Sequence, residues 1–298
     1  MSETRLYLVD ASPYIFRAHF SVPETIRTPD GRPAAASYGF ATFLLRLLVE
    51  EKPSHLAMAF DRNLMGSFRN DQLPSYKQQR TPPPPEIEEQ IDTCLAVSRA
   101  LGAASFIDDR YEADDIIATL LARHPGQPAV IVTSDKDLAQ LVNDHVTLYD
   151  LAKATRYDSE AVREKFGVRP DQIPDYLGLA GDSVDNIPGV KGIGAKSAAE
   201  LLAHFAHLED LYLHLDKVPR LPLRGAKSIH AKLAEQRDMA FLSRQLATVS
   251  RDAPGLPEDL DALAYQGADT ASAQALFDRL GFSSMKERVA PLPQGTKT

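Results

Sequence analysis

The chain has 298 residues, of which 44% are hydrophobic and 25% are charged, and its formal net charge at pH 7 is −8. This length allows one large domain or two modest domains with a sizeable core, and the composition is ordinary for a globular protein. No apolar run approaches the roughly 20 residues of a membrane span, no signal-peptide pattern opens the chain, and a single cysteine excludes an intramolecular disulfide. We therefore expect a cytoplasmic protein in which Cys94 is a packed core residue.

Three apolar runs that each end in acidic residues predict buried strands. They cover residues 5–10, 56–61 and 129–137. Strands that are apolar on both faces are typical of a sheet covered by helices on both sides, and ligands of such sheets gather at the carboxyl ends of the strands. The acids at these ends, Asp10, Asp61, Asp135 and Asp137, are therefore candidates for one site. Helix capping is the alternative role for Asp10.

Helical patterns alternate with these strands. Ser12 and Pro13 predict the start of a helix that runs to Phe20, and apolar spacing predicts further helices over about 35–51 and 86–101. Shorter strands are predicted at 106–107 and 146–149. This alternation indicates an α/β fold with helices on both faces of the sheet, and the sequence has no internal repeat.

The stretch from Tyr111 to Asp115 combines three acids with the start of a helix. Glu112, Asp114 and Asp115 fall within four residues and directly precede an apolar helical stripe. Acids in a first helical turn are common because they complement the helix dipole. The alternative is a metal site, and it is favoured because acids at the strand ends would meet the same point.

Residues 62–85, here called the arch segment, break the α/β pattern. This long polar stretch contains Arg69, Lys77 and Arg80 with the aromatic Tyr76, and it ends in four prolines. Basic side chains mixed with aromatic ones suit phosphate contact and base stacking. A mobile surface loop is the alternative interpretation.

After about residue 165 the chain becomes helical. The stretch 181–194 contains Asp182 and Asp185, followed by glycines that permit close backbone approach, and a helix start then offers free N–H groups to a phosphate. The glycines and lysines of this region that we predict to contact DNA are Gly189, Lys191, Gly192, Gly194 and Lys196. Arg224 and Lys227 belong to a second basic group, for which a solvated helix face is the alternative. Three histidines between 204 and 214 lack a clustered further ligand and do not predict a zinc site.

The motifs together resemble a known family. They are Leu8-Val9-Asp10, Phe60-Asp61, Phe68-Arg69, Tyr76-Lys77-Gln78-Gln79-Arg80, Glu112-Ala113-Asp114-Asp115, Ser134-Asp135-Lys136-Asp137 and Gly181-Asp182-Ser183-Val184-Asp185 with the following Asn186-Ile187-Pro188-Gly189. From about residue 5 to residue 289 the chain resembles the 5′ nuclease domain of bacterial family A DNA polymerases and the wider flap-endonuclease and phage 5′-exonuclease family. Ala11 stands where glycine is common in that family. We expect a stand-alone protein without a polymerase domain.

The resemblance implies a fold and a domain organisation. The fold would be a PIN-like α/β core over residues 1–166, with a central, mostly parallel sheet between helices and a helical arch at 62–85. A helical DNA-binding domain with a helix-three-turn-helix motif would cover 167–290, and a disordered tail would cover 291–298.

The resemblance and the charge of a phosphodiester also imply a two-metal mechanism, with two Mg²⁺ ions roughly 4 Å apart and Mn²⁺ as a substitute. One ion is assigned mainly to Asp10, Asp61, Glu112 and Asp114, and the other to Asp135, Asp137, Asp182 and Asp185, with Asp115 near both. These nine acids account for more than the whole net charge of −8, so global acidity does not exclude DNA. Lys77 and Arg80 would contact the scissile phosphate as catalytic residues together with Asp115, Tyr76 would stack on a base, and Arg17 and Arg69 would bind DNA. K⁺ would bind at the helix-three-turn-helix motif.

The expected function is a monomeric, structure-specific 5′ nuclease acting in DNA replication and repair. Its substrates would be DNA with 5′ ends, flaps or junctions, and RNA–DNA hybrids. Two alternatives remain open at this point. One is a DNA-binding homologue with weak catalysis, and the other is a metal-dependent phosphohydrolase acting on small phosphate esters.

Overall fold

A six-stranded sheet lies at the centre of the protein. The structure, a computed structural model, describes residues 5–63 and 66–295; Leu64 and Met65 of the arch segment and residues 296–298 of the predicted tail lie outside the described residues. The strands are β1 (Leu6–Asp10), β2 (His55–Asp61), β3 (Ala104–Asp108), β4 (Ala129–Val132), β5 (Val146–Asp150) and β6 (Thr155–Tyr157). Their spatial order is β3-β2-β1-β4-β5-β6. All neighbours are parallel except β5 and β6, which are antiparallel, and β6 was not predicted.

The strand order reverses direction between β1 and β4. From β1 the chain first builds the sheet outward through β2 and β3, and it then returns to the other side of β1 with β4. Such a switch point leaves a crevice at the carboxyl ends of the two strands, where α/β proteins bind ligands. Asp10 and Thr133 stand at this position, because they end β1 and directly follow β4.

Helices cover both faces of the sheet, as the sequence predicts. The helices α1 (Ser12–Ser21), α2 (Ala35–Glu51) and α3 (Pro85–Ala100) pack in a core with Tyr7 and Val9 of β1, whereas α4 (Ala113–Arg123) and α5 (Ser159–Phe166) pack in a core with Leu6 and Leu8. The two cores take alternate residues of β1 because successive strand side chains point to opposite faces. Cys94 is buried in the first of these cores, as predicted.

Five helices form the part of the chain that follows the α/β core. They are α6 (Ile173–Ala180), α7 (Ala195–His204), α8 (Leu208–Leu213), α9 (Ala226–Glu235) and α10 (Arg237–Ala247). Helix α6 packs closely on α10, and a Cβ atom at Gly178 would come within 2.9 Å of the Ala240 carbonyl oxygen. This close approach holds the loop after α6 beside the end of α10.

The last two helices return to the α/β core, which differs from the predicted domain limits. We placed residues 167–290 in the helical domain, yet α11 (Thr270–Leu280) and α12 (Ser283–Val289) pack against α2 and α3 and bury Phe277 and Phe282 there. The predicted disorder of 291–295 is also wrong. Leu292 is buried, and the Gly295 N–H donates to the Ala268 carbonyl at 3.0 Å. Periodicity shows that such helices have an apolar face but not which distant face they cover.

The arch segment has little regular structure. Within its described residues, the 3₁₀ helix Phe68–Asp71 is the only regular element before α3 begins. The rest of the segment is a series of turns that lie against the carboxyl end of the sheet. No helix in the described part of the chain is long and apolar enough to cross a membrane.

Candidate active site

Seven of the nine predicted acids line one cavity at the switch point. The cavity has a volume of about 310 Å³, and its acidic lining consists of Asp10, Asp61, Glu112, Asp114, Asp135, Asp137 and Asp185. They come from the ends of β1 and β2, the first turn of α4, the loop after β4 and the loop after α6. The structure therefore brings these seven acids together, and their role as metal ligands remains a prediction.

Two hydrogen-bond partners fix the acids at the strand ends. Thr133 donates its hydroxyl to Asp10 Oδ2 at 2.8 Å, and Ser12 donates its hydroxyl to Asp61. The other oxygen of Asp61 accepts the Ala113 N–H at 2.7 Å, so this acid also caps the start of α4. Burial raises the pKa of the Asp10 carboxyl well above its usual range, and the nearby charges of Asp61 and Asp135 raise it further.

Three other acids of the cavity are held near one another at an electrostatic cost. Burial raises the pKa of Asp114 and Asp137 well above the usual range, and neighbouring carboxylates, Asp135 first among them, add to the effect. The pKa of Asp135 is also raised by burial, while the backbone N–H of Asp137, which it accepts at 2.9 Å, acts in the opposite direction. Crowded carboxylates of this kind are stable at neutral pH when cations neutralise them.

The donor set therefore fits a divalent metal. Carboxylate oxygens are the preferred ligands of Mg²⁺, which is usually bound by a few carboxylates and several waters. Within residues 5–63 and 66–295, no three acidic, histidine or cysteine side chains are already grouped around one point as ligands. The acids share the cavity as a loose set, and several of them contact basic side chains of the protein instead.

Most of these basic side chains come from the arch segment. Lys77 pairs with Glu112, and its Nζ lies 3.9 Å from Asp185 Oδ2, while Arg80 also pairs with Asp185. Burial raises the pKa of Asp185, but the charges of Lys77 and Arg80 outweigh it and hold that pKa below the usual value. The two cations thus neutralise acids that we assigned to metal ions.

Hydrogen bonds to backbone carbonyls join the arch segment to the loop that carries Asp185. The Lys77 N–H donates to the Asp185 carbonyl at 3.0 Å, Gln79 Nε2 donates to the Ser183 carbonyl at 2.7 Å, and Asn186 Nδ2 donates to the Ser75 carbonyl at 2.6 Å. Lys77 has a φ of 56°, a left-handed backbone conformation that residues other than glycine rarely adopt. Residues 75–80 and 183–186 therefore form a clasp over the cavity.

Tyr76 has a different role from the one that we predicted. Its ring is 3% exposed, and its hydroxyl lies 3.1 Å both from Glu112 Oε2 and from Asp185 Oδ2. A base cannot stack on a ring that is covered in this way, so the stacking prediction is wrong for this arrangement. The sequence identified an aromatic residue between basic ones but did not show that the ring faces inward.

Asp115 is neither a ligand nor a catalytic residue in this geometry. Its side chain is fully buried, and it accepts two hydrogen bonds from Arg69, at 2.8 Å to Oδ1 and 2.9 Å to Oδ2. The N–H groups of Glu112 and Ser250 donate to the same carboxylate at 3.1 and 2.7 Å. Both oxygens of Asp115 are thus occupied by protein donors, and this geometry does not support its predicted position between two metals.

Arg69 is not placed for DNA contact. It is 3% exposed, and beyond Asp115 its guanidinium donates to Glu112 Oε2 at 2.8 Å and to the carbonyls of Leu246 and Thr248 at 2.9 and 3.2 Å. The side chain forms a buried part of the cavity lining, where it joins separate parts of the chain. The structure therefore does not support a DNA contact for Arg69 and shows instead that Arg69 links segments inside the protein.

Asp182 lies beside the cavity and has a cation of its own. It is 4% exposed, Lys136 Nζ lies 2.7 Å from its Oδ2, and the Val184 N–H donates to its Oδ1 at 2.7 Å. Lys136 falls between Asp135 and Asp137 in the sequence. The motif gave no indication that the Lys136 ammonium would form an ion pair with Asp182, a predicted metal ligand. Asp182 stays a candidate ligand that would first have to leave Lys136.

The glycine-rich turn of 189–194 lies on the helical part of the protein, and the lysines in this turn and at the start of α7 are exposed. At Gly189 a Cβ atom would lie 2.3 Å from the Gly181 backbone nitrogen, so this residue must be glycine. Lys191 and Lys196 are exposed, and Gly194 immediately precedes α7, whose first N–H groups are open to a ligand. Arg224 and Lys227 are exposed around the start of α9, and Arg17 is exposed on α1. Their predicted contacts with DNA remain predictions.

Three residues form hydrogen bonds that hold this turn in place, and the sequence did not predict that role for them. Lys232 Nζ donates to the Gly192 carbonyl at 2.9 Å, Gln236 Oε1 accepts the Lys191 N–H at 2.8 Å, and Ser243 Oγ accepts the Gly189 N–H at 3.0 Å. They lie on α9, on α10 and between these two helices, 40 or more positions away in the chain, and no local pattern marks them. His207 contacts Asp175 and His214 contacts Asp210, each at 2.9 Å, and the histidines do not form a metal site among the described residues.

Two family models together match most of the chain. Residues 5–167 match the N-terminal resolvase-like domain of 5′-3′ exonucleases, and residues 168–271 match their C-terminal SAM fold. The chain belongs to the 5′-3′ exonuclease family. Its predicted fold, a mostly parallel sheet with a helical C-terminal domain, is confirmed by these matches and by the strand order.

Relatives and solved structures agree with this family. DNA polymerase I of Pseudomonas aeruginosa is 43% identical over 288 residues, and that of Bacillus caldotenax is 40% identical over 292; these matches cover 95% and 96% of the chain but 31% and 32% of the relatives. The chain thus spans about a third of their length. The zinc-bound T5 5′-exonuclease has the same fold, with a TM-score of 0.65, 23% identity and coverage of 96% of this chain and 99% of that one. The catalytic core of Rad2 in complex with DNA substrate gives a TM-score of 0.62, 16% identity and coverage of 97% and 92%.

Proposed function

We propose that this member of the 5′-3′ exonuclease family hydrolyses phosphodiester bonds at or near the 5′ ends, flaps and junctions of DNA, with two divalent metal ions. The observation that carries the proposal is the convergence of seven carboxylates in one cavity at the switch point of the sheet. The T5 5′-exonuclease with bound divalent metal ions and the Rad2 core in complex with DNA support the metal and the substrate class. Mg²⁺ is the proposed ion, and Mn²⁺ a substitute.

The acids divide into two groups that would hold the ions. Asp10, Asp61, Glu112 and Asp114 would hold one ion, and Asp135, Asp137 and Asp185, joined by Asp182 once it leaves Lys136, would hold the other. The bound ions would supply an activated water and neutralise charge on the phosphate. The crowding that raises the pKa of Asp10, Asp114 and Asp137 supports cation binding in this cavity, because a cation relieves the same repulsion.

Lys77 and Arg80 would exchange a carboxylate for the scissile phosphate. Both side chains line the cavity, where Lys77 pairs with Glu112 and Arg80 pairs with Asp185. A phosphate entering the clasp would offer them a new anion, while metal ions would take their place on the acids. The developing negative charge would then face an ammonium and a guanidinium, an arrangement that stabilises a transition state more than a ground state.

The helical part would hold the duplex at a distance from the reacting bond. The turn at 189–194 and the start of α7 would bind a backbone phosphate, with Lys191, Lys196, Arg224 and Lys227 supplying positive charge. The further elements of the proposal are K⁺ at this turn, RNA–DNA hybrids as additional substrates and a monomeric enzyme. Because backbone contacts carry no sequence information, the specificity would be for DNA structure.

An experiment that compares substrates tests the proposal. The protein is incubated in Mg²⁺ and in EDTA with an end-labelled flap oligonucleotide, the same oligonucleotide with a blocked 5′ end, an RNA-primed duplex and a chromogenic phosphate ester. We expect Mg²⁺-dependent cleavage near the 5′ end of the nucleic acids and no turnover of the ester. Hydrolysis of the ester alone would mean a small-molecule phosphohydrolase, and DNA binding without cleavage would mean a non-catalytic homologue.

A further inference from the structure

We infer that Arg69 is a positioning residue for the nuclease reaction, which fixes Glu112 in the cavity through a buried ion pair that it shares with Asp115. The inference rests on the proposed function, because it concerns how the acids of that site are held. It replaces the DNA contact expected for Arg69 and the metal contact expected for Asp115. Neither residue would touch substrate, metal or reacting atoms, and both would act through their neighbours.

All five N–H donors of the Arg69 guanidinium have acceptors. Nε donates to the Leu246 carbonyl at 2.9 Å, Nη1 donates to Glu112 and Asp115 at 2.8 and 2.9 Å, and Nη2 donates to Asp115 and the Thr248 carbonyl at 2.8 and 3.2 Å. Arginine has no other donors on its side chain. The group is therefore fully used inside the protein, and a phosphate could bind it only by displacing several of these contacts.

Asp115 completes the link on the other side. Beyond the two bonds from Arg69, its carboxylate accepts the Glu112 N–H at the start of α4 and the Ser250 N–H after α10. One ion pair thus connects the arch segment, the acid-bearing start of α4 and the stretch that follows α10. Burying such a pair is costly unless all its donors and acceptors are satisfied, as they are here.

The two carboxylate oxygens of Glu112 have different kinds of hydrogen-bond partner. Its Oε2 accepts from Arg69 and Tyr76, which are both 3% exposed, while its Oε1 accepts from Lys77, the residue that we propose moves to the phosphate. When Lys77 leaves, Arg69 and Tyr76 would still hold Oε2, and Oε1 would face the cavity. Arg69 thereby decides where the free oxygen of Glu112 lies.

Arg69 also holds a second part of the cavity lining. Leu246, Ala247 and Val249 line the cavity, and Arg69 binds the carbonyls of Leu246 and Thr248 within this stretch. Gln140 supports the same stretch by donating to the Ala247 carbonyl at 3.0 Å and accepting the Val249 N–H at 3.1 Å. A shift of Arg69 would move an acid and a wall together, and misplacement by about 1 Å is enough to slow a reaction greatly.

Arg69→Lys is the most informative variant because it keeps the charge and removes the planar fork. The matched control is Arg244→Lys, since Arg244 also forms a forked ion pair, to Glu209 at 2.6 and 2.7 Å, in the helical part of the protein. Three quantities are measured for each variant: the single-turnover cleavage rate in Mg²⁺ at saturating flap DNA, the Kd for the same DNA in Ca²⁺, and the unfolding midpoint.

We expect Arg69→Lys to lose about 10- to 100-fold in rate, the range typical of residues that orient ligands, with a Kd within about threefold of the original value. Arg244→Lys should keep its rate within about twofold even where its unfolding midpoint falls. A normal rate with weakened DNA binding would return Arg69 to its DNA-contact role and overturn the inference. A rate loss in Arg244→Lys as large as that in Arg69→Lys would mean that general destabilisation explains both losses, and this would overturn the inference.

Asp115→Asn provides a second route if Arg69→Lys does not fold. It keeps the shape of the side chain, leaves Arg69 paired with Glu112, and should show the same slow rate at unchanged DNA affinity. In the double variant the two losses should not multiply, because both changes break one link; multiplicative losses would overturn the inference. If the unmodified protein and Arg244→Lys both fail to cleave, the proposed function has failed, and that outcome is distinct from a failure of the Arg69 assignment.

Discussion

Lys77 and Asp185 contact each other through both backbone and side chain. The Lys77 N–H donates to the Asp185 carbonyl at 3.0 Å, and Lys77 Nζ lies 3.9 Å from Asp185 Oδ2. The residue proposed to meet the phosphate is thus joined to a residue proposed to hold a metal ion. Substrate and metal would have to open the same contact, so binding of one should ease binding of the other.

Weakening this contact should expose the arch segment. Asp185→Asn removes the charge that pairs with Lys77 and Arg80, and we expect faster tryptic cleavage after these two residues in the absence of DNA, because the clasp opens more often. The rate of appearance of the corresponding fragments, followed by mass spectrometry, measures this. Asp278→Asn, which removes an exposed ion pair with Lys286, is the control and should leave the rate unchanged.

If Asp185→Asn is cut no faster than the Asp278→Asn control, the side-chain pairs do not hold the clasp closed. The hydrogen bonds to backbone carbonyls between residues 75–80 and 183–186 would then be sufficient on their own.

Asp114→Asn should stabilise the metal-free protein while abolishing cleavage. Burial and the neighbouring acids raise the pKa of Asp114, so the folded state binds its proton more tightly than the unfolded state does. The stability that this proton contributes is fully present below the unfolded pKa of about 3.9 and is lost as pH rises through the raised value. At pH 7 the charged group destabilises the fold by about 1.4 kcal/mol for each unit of its shift, and the carboxamide removes this cost.

The measurement is the unfolding midpoint in EDTA at pH 7 and at pH 4.5, together with cleavage in Mg²⁺. We expect the midpoint of Asp114→Asn to exceed that of the unmodified protein by a larger margin at pH 7. A lower midpoint, or unaltered turnover in Mg²⁺, would mean that Asp114 is neither crowded by like charges nor required for metal binding.

Calcium should support DNA binding without cleavage. Ca²⁺ supplies the positive charge that the acids and the phosphate require, but it prefers a larger and looser coordination than Mg²⁺. We expect flap DNA to bind in Ca²⁺ with an affinity well above that in EDTA, as measured by fluorescence anisotropy, and product to appear only after Mg²⁺ is added. Rapid turnover in Ca²⁺ alone would contradict this expectation.

Lys77→Ala and Lys196→Ala should affect different kinetic constants. Lys77 lies in the cavity, so its loss should lower kcat and kcat/KM together. Lys196 is exposed at the start of α7, and its loss should raise KM with kcat largely kept and should lower the salt dependence of DNA binding by about one phosphate contact. Single-turnover rates across a salt series distinguish the two; rescue of Lys77→Ala but not of Lys196→Ala by excess DNA would reverse the assignments.

The sequence predicted the strand-end acids because their position follows from local pattern and topology alone. Asp10 and Asp61 end apolar runs, and any α/β sheet brings such ends to one edge. The role of Asp115 could not be distinguished from that of Asp114 in this way. Adjacent positions of a helix point in different directions, so one residue faces the cavity and the next faces the buried Arg69. Sequence spacing places both in the first turn of α4 but does not identify their partners.

Long-range contacts account for the other differences. The family resemblance implied DNA contacts for Tyr76 and Arg69, and a polar segment with mixed basic and aromatic residues suited them, whereas here they pack against Glu112 and the end of α10. In the same way, the apolar faces of α11 and α12 could be predicted, but not their return to α2 and α3. Such contacts depend on where distant segments meet, which no local period encodes.

The central claim is that the acids of the cavity hold two divalent ions that are needed to hydrolyse DNA near a 5′ end. The most direct test is the single-turnover cleavage rate of a 5′-labelled flap substrate, measured at saturating DNA across a Mg²⁺ titration that starts from EDTA-treated protein. We predict no cleavage without metal and, at limiting Mg²⁺, a slope of about two in the plot of log rate against log concentration. Cleavage that persists in EDTA, or no cleavage at any Mg²⁺ concentration, would contradict the account.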